Sequence, residues 1–110
     1  MKKYIGTIVA ESLINPEVIQ TLGILGSEVS PNLGWHIYKV SVNEDRVKSL
    51  AKEIIDNKWY MHFWNEREII AVFKDKTFTF NSDDKPSRIN AVNYGISLGI
   101  PEEQLDFIID

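Results

Sequence analysis

Two histidines, His36 and His62, carry the only side chains in this sequence that change charge near neutral pH without perturbation. Either would serve as a general base if a carboxylate oriented its ring, and Glu11 and Glu68 are the acids this reading assigns to that role. Both histidines stand among aromatics. Trp35 precedes His36, and His62 lies inside Trp59-Tyr60-Met61-His62-Phe63-Trp64. A base beside rings suits a small aromatic or acyl substrate. A shared metal is less well served, because there is no H-x-H or H-x-x-x-H pair and no neighbouring acid cluster. In the sheet order argued below, their strands flank the first strand, roughly 10 Å apart, at the limit of what two imidazoles bridge at ~2 Å per metal bond. Two packed or hydrogen-bonded histidines are the simpler reading, and no metal or other cofactor is expected.

Other patterns look chemical and are not. Gly95-Ile96-Ser97-Leu98-Gly99 is a literal G-x-S-x-G, but a nucleophile elbow needs a strand-to-helix turn with a histidine later in the chain. Here both histidines come earlier, and the motif falls at the end of a predicted helix. Gly99 reads as a helix stop and Gly95 as room for close packing. Glu66-Arg67-Glu68 reads as a solvated hairpin turn, and Asp83-Asp84 as a helix cap without the glycine-bearing loop of a calcium site.

The elements that must hold these residues follow from periodicity. In a strand, Trp59, Met61 and Phe63 point to one face and Tyr60, His62 and Trp64 to the other. A strand that is large and apolar on both sides needs a cover on both. Tyr4 to Ala10 has the same two-sided character. Asn15-Pro16-Glu17 opens a short helix stopped by Gly23. Ile24 to Val29 and Trp35 to Val42 form a hairpin around Ser30-Pro31-Asn32-Leu33-Gly34. Asn43 caps an amphipathic helix ending near Asn57, with Val47, Leu50, Ala51, Ile54 and Ile55 on its apolar side. A meander of Trp59 to Trp64, Ile69 to Lys74 and Thr77 to Phe80 comes next. Last is a helix from about Pro86 to Leu98, with Ile89, Val92 and Ile96 inward, then a short acidic turn that leaves Leu105, Phe107, Ile108 and Ile109 to dock on the body. This order predicts an α+β fold, a ferredoxin-like split βαβ sheet extended by a C-terminal β-hairpin and helix, in one domain over residues 1–110.

Composition narrows the function classes. The 110 residues are 44% apolar and 25% charged, as in ordinary globular domains. Net charge is −4, and no basic block supplies the phosphate-neutralising charge on which most nucleic-acid binding depends. Nucleic acid is disfavoured as a partner. The absence of cysteine excludes disulfides, thiolate metal sites and a cysteine nucleophile. Met1 to Ala10 alternates like a strand, unlike a signal peptide, and nothing approaches a membrane span, so the expectation is cytoplasmic.

The stretch Trp59 to Trp64, the following Ile70 to Lys76, the ending Tyr94 to Asp106 and Gly6-Thr7-Ile8-Val9-Ala10-Glu11 resemble a group of small prokaryotic proteins of unknown function. The resemblance implies a prokaryotic, stand-alone domain and carries no activity with it.

The aromatic surplus therefore sets the functional expectation. Because helices are expected on only one face of the sheet, the other face needs cover from a second subunit, a flat ligand or the C-terminal segment. The expected function is a binding or assembly module, a homodimer through that face, with a small molecule as the other candidate partner. Trp35, His36, Tyr60, His62 and Trp64 are the ligand or interface candidates. The alternatives are a small enzyme using a histidine base in an aromatic pocket and an adaptor working through its acidic C-terminal end.

Overall fold

The computed structural model describes residues 2–105. Six strands form one antiparallel sheet in the order β2-β3-β1-β4-β5-β6. They are β1 (Lys3–Val9), β2 (Gly23–Val29), β3 (His36–Asn43), β4 (Tyr60–Asn65), β5 (Glu68–Phe73) and β6 (Lys76–Asn81). Two α-helices join them, α1 (Glu44–Ser49) and α2 (Lys85–Ser97), with 3-10 segments at Ala10–Ser12, Pro16–Thr21, Leu50–Glu53 and Glu102–Gln104. The α+β class read from the sequence is the class observed.

Alternation along the strands sorts side chains into two layers. One holds Tyr4, Ile8, Val40, Val42, Met61, Phe63, Ile70 and Val72, covered by Leu13, Ile19, Val47, Leu50 and Ile54 from the segments before β2 and β4. The other holds Trp64, Ile69, Ala71, Phe73 and Phe80, covered by Ala91 of α2 and by Ile100 and Leu105 beyond it. The expectation of helical cover on a single face is thus corrected. α2 reaches the second face over β4 to β6 and leaves that face open over β1, β3 and β2.

Two helices differ from their sequence patterns for local reasons. Asn15 Oδ1 accepts from the Glu17 N–H at 3.1 Å, but Pro16–Thr21 stays in the tighter 3-10 form. Asn43 caps α1 as expected, with Oδ1 accepting from the Arg46 N–H at 2.9 Å. The helix does not run to Asn57, however. Residues 12–14 recruit the backbone of residues 53–55 into a short bridge, with Ile14 N–H donating to Glu53 O and Ile55 N–H to Ser12 O, each at 2.8 Å. That bridge pulls Ile54 into an extended conformation while it stays buried, and leaves Ile55 at the surface.

The buried side of α2 also needs correction. Ala91 and Gly95 face inward with Val92, as expected, and Tyr94 and Leu98 packed beside them, whereas Ile89 and Ile96 are 52% and 44% exposed. Small residues win here because the cover lies close. A Cβ on Gly95 would sit 2.7 Å from Leu105 Cδ2. Gly99, at φ +91°, ends the helix as the sequence indicates. The expected docking of Phe107, Ile108 and Ile109 lies outside the described residues.

Candidate functional site

The strand order itself brings the tryptophans together. β1 lies between β3 and β4, and the pairs Val9↔Ile37 and Gly6↔Phe63 set the two registers. Trp35, just before β3, and Trp59, just before β4, therefore emerge at the same end of the sheet, past the end of β1. Their rings meet edge to face, with centroids 5.0 Å apart and planes at 62°. Such a pair contributes about 0.5–1.5 kcal/mol beyond its buried area. Ser30 N–H donates to Trp35 O at 2.8 Å, closing the β2–β3 hairpin and fixing where Trp35 leaves it.

These residues open onto a cleft of about 350 Å³ lined by Val9, Trp35, Lys58, Trp59, Tyr60 and Gln104. The Tyr60 hydroxyl donates to the Gln104 carbonyl, which ties β4 to the segment after α2 and fixes one wall. The Tyr60 ring also stacks on Phe73, with centroids 5.6 Å apart. Among the described residues, Lys58 is the only ionic group in the lining. The volume falls in the range of small-molecule sites, and the mixture of rings with few polar groups is typical of them.

From Tyr60 the aromatic row continues along β4. His62 stacks against Tyr60 at 6.4 Å and lies 5.6 Å from Trp64. Trp64 is 6% exposed, within the second layer. Of the five sequence candidates, Trp35 and Tyr60 line the cleft, Trp64 is buried in the second layer, and His62 stands between Tyr60 and Trp64. His36 turns to the other face.

There His36 meets one of its two expected partners. Glu11 grips it twice: Oε1 accepts from the His36 backbone N–H at 2.8 Å, and Oε2 lies 2.7 Å from Nδ1. The side-chain hydrogen bond from His36, and then the backbone one, hold the Glu11 carboxyl below its ordinary value. A carboxylate only accepts, so Nδ1 carries the proton and the Nε2 edge is directed away from Glu11. Glu68, the other proposed partner, is engaged elsewhere. It accepts from the buried Tyr4 hydroxyl and lies 3.3 Å from Lys2 Nζ, while Glu44 Oε1 is 3.3 Å from the same hydroxyl.

The two histidines are separated by β1 and by the thickness of the sheet. No group of three His, Cys, Asp or Glu side chains among the described residues is placed to hold a metal. Ser97 of the G-x-S-x-G pattern donates to Tyr94 O at 2.6 Å as a helix-end hydroxyl. Arg67 pairs with Asp83, and Asp84 caps α2, accepting from the Ser87 N–H at 3.5 Å and from the Ser87 hydroxyl at 2.9 Å. Sequence reasoning did not single out Lys58, Val9 or Gln104. The first two would have followed from the β1–β4 register, but nothing local marks Gln104.

No protein-family model matches the chain, and no curated protein and no solved structure matches it. No helix among the described residues is long and apolar enough to cross a membrane.

Proposed function

We propose that the chain is a small binding module whose working surface is the aromatic cleft at the end of β1. The ligand is a flat, ring-bearing small molecule with an anionic group directed to Lys58. The observation that carries this reading is the Trp35–Trp59 pair beside one cationic side chain in a cleft of about 350 Å³. Aromatic walls are rigid and lose little conformational entropy on binding, and a cationic side chain in the lining favours anions in a chain of net charge −4. As a scaffold, the strand order β2-β3-β1-β4 supports reading the first four strands as a ferredoxin-like split βαβ unit, with β5, β6 and α2 as the extension. The test is a set of planar carboxylates and phosphates titrated against tryptophan fluorescence, repeated with Trp35→Ala and Lys58→Gln. Binding lost in both variants supports the cleft. Binding unchanged in both, or no binding by the wild type, overturns it.

A second reading rests on the Glu11–His36 pair. A carboxylate that fixes the tautomer and orientation of an imidazole is the arrangement used to prepare a general base. On this reading the chain is a small hydrolytic or proton-transfer enzyme. Acyl esters of small phenols would be turned over by the wild type and not by His36→Gln. Equal background rates from both proteins would remove it.

Self-association, the other part of the sequence expectation, loses its need at β4, where α2 and the segment after it already lie on the aromatic row.

A further inference from the structure

We infer that two copies of this chain pair through β2, in antiparallel register about a two-fold axis at Ser27, to make one continuous sheet. β2 is an outermost strand of the sheet, and all seven of its residues are exposed. The strand contains no proline and no lysine, and its only charge is Glu28. Outermost strands are templates for another strand unless charge, proline or irregularity blunts them. The only such device here is the bulge at Leu25, between the Ile24 and Gly26 pairs. The opposite outermost strand, β6, has α2 packed onto it.

The hydrogen-bond phase of the hairpin tells which groups of β2 face outward. Ser30 N–H donates to Trp35 O, and the His36 N–H turns away from β2 to Glu11. Val29↔His36 is therefore a non-hydrogen-bonded pair, Glu28↔Ile37 a hydrogen-bonded one, and Ser27↔Tyr38 again non-bonded. The N–H and C=O of Ser27 and Val29 thus point away from β3, where a further strand would take them.

Charge and shape select a second copy. With Ser27 opposite Ser27 of the second copy, Glu28 faces Gly26 across the new ladder. A two-fold centred on Glu28 would oppose like charges instead. Gly26 pairs with Lys39 on its other side, and a Cβ built on Gly26 meets nothing within 4 Å. The result is a hollow of about 300 Å³ lined by Thr7, Gly26, Ser27, Glu28, Ile37 and Lys39. Glu28 of the second copy reaches across the bare Gly26 toward Lys39, two strand spacings or roughly 10 Å away, a gap the two long side chains can close. Neither Glu28 nor Lys39 has an ion-pair partner among the described residues. The same register brings Val29 and Leu25 of the second copy together, both more than half exposed in the single chain. The symmetry repeats each of these contacts.

The test is sedimentation velocity from low micromolar to millimolar concentration, with circular dichroism to check folding. The wild type should show a reversible monomer–dimer equilibrium. Ser27→Pro removes an outward N–H without touching the β2–β3 ladder, and should weaken the dimer at least about tenfold. If that proline unfolds the chain, the charge variants decide. Glu28→Lys and Lys39→Glu alone should each weaken dimerisation, and the double swap should restore it. A wild type that stays monomeric throughout overturns the proposal. So does a dimer indifferent to Ser27→Pro, or one not rescued by the double swap.

Discussion

Gly6 and Phe63 face each other across the β1–β4 ladder, and a Cβ on Gly6 would fall 2.2 Å from Phe63 Cδ2. The Phe63 ring occupies the space a side chain at position 6 would take, so the first layer closes over bare backbone. Gly6→Ala should therefore destabilise the protein by about 1–3 kcal/mol, the usual cost of overpacking. Urea denaturation measures this, and Phe63→Leu added to Gly6→Ala should recover part of the loss. A neutral Gly6→Ala would mean that the ring moves aside freely.

Trp64 and Trp35 should separate stability from binding. Trp64 is 6% exposed in the second layer, so Trp64→Ala should cost about 3–5 kcal/mol, as large core truncations do. Trp35 is half-buried at the cleft, and Trp35→Ala should cost less than half as much while abolishing the ligand response. Denaturation midpoints and fluorescence titrations on the two variants supply the comparison. The reverse ranking would place the working surface on β4.

Acid should loosen the Glu11–His36 clasp in a definite direction. The Glu11 carboxyl is held below its ordinary value by hydrogen bonds from His36 that form only in the folded chain. Its contribution is present above about that value and is lost as pH falls through the lower folded value. The acid limb of the stability–pH profile should thus be shallower in Glu11→Gln than in the wild type. Superimposable limbs would show that the clasp does not persist in solution.

Tyr4→Phe removes a buried hydroxyl that touches both Glu68 and Glu44. Both carboxylates are partly exposed and can turn to water, so the loss should be modest, about 0.5–1.5 kcal/mol. Thermal unfolding of Tyr4→Phe checks this, and the loss should shrink when Glu68→Gln is already present. Additive losses would mean that the hydroxyl and Glu68 do not interact.

The strands were legible because their pattern is strong. β4 is apolar on both sides and is covered on both, whereas Tyr4 to Ala10, with the same two-sided pattern, is buried only at Tyr4, Gly6, Ile8 and Ala10, with Thr7 exposed and Ile5 and Val9 half-buried on the open face. The caps Asn15, Asn43 and Asp84 and the stop at Gly99 were legible for the same reason, since each is a local rule satisfied by local atoms. α2 was misjudged because its buried side is built from Ala91 and Gly95, which carry almost no hydrophobic signal. Its isoleucines face outward instead. The shortened helix after Asn43 fails for a tertiary reason, the bridge from residues 12–14. In the site, Trp35 and Tyr60 could be named from their type. Their meeting with Trp59 and Lys58 follows from β1 lying between β3 and β4, an order the sequence pattern contained, and from the β1–β3 and β1–β4 registers, which no window of sequence supplies.

β5 belongs to both layers at once, with Ile69, Ile70, Ala71, Val72 and Phe73 all inaccessible to solvent. Its neighbours β4 and β6 adjoin it in the chain through tight turns at Glu66 and Asp75. The meander can thus close at low loop entropy, whereas β1 must find β4 across more than fifty residues. The order of assembly that follows runs against the order of synthesis. The C-terminal meander is expected to close first, and β1, although made earlier, to complete its pairing with β4 afterwards. Pulsed hydrogen exchange during refolding should protect the β5 amides before those of β1.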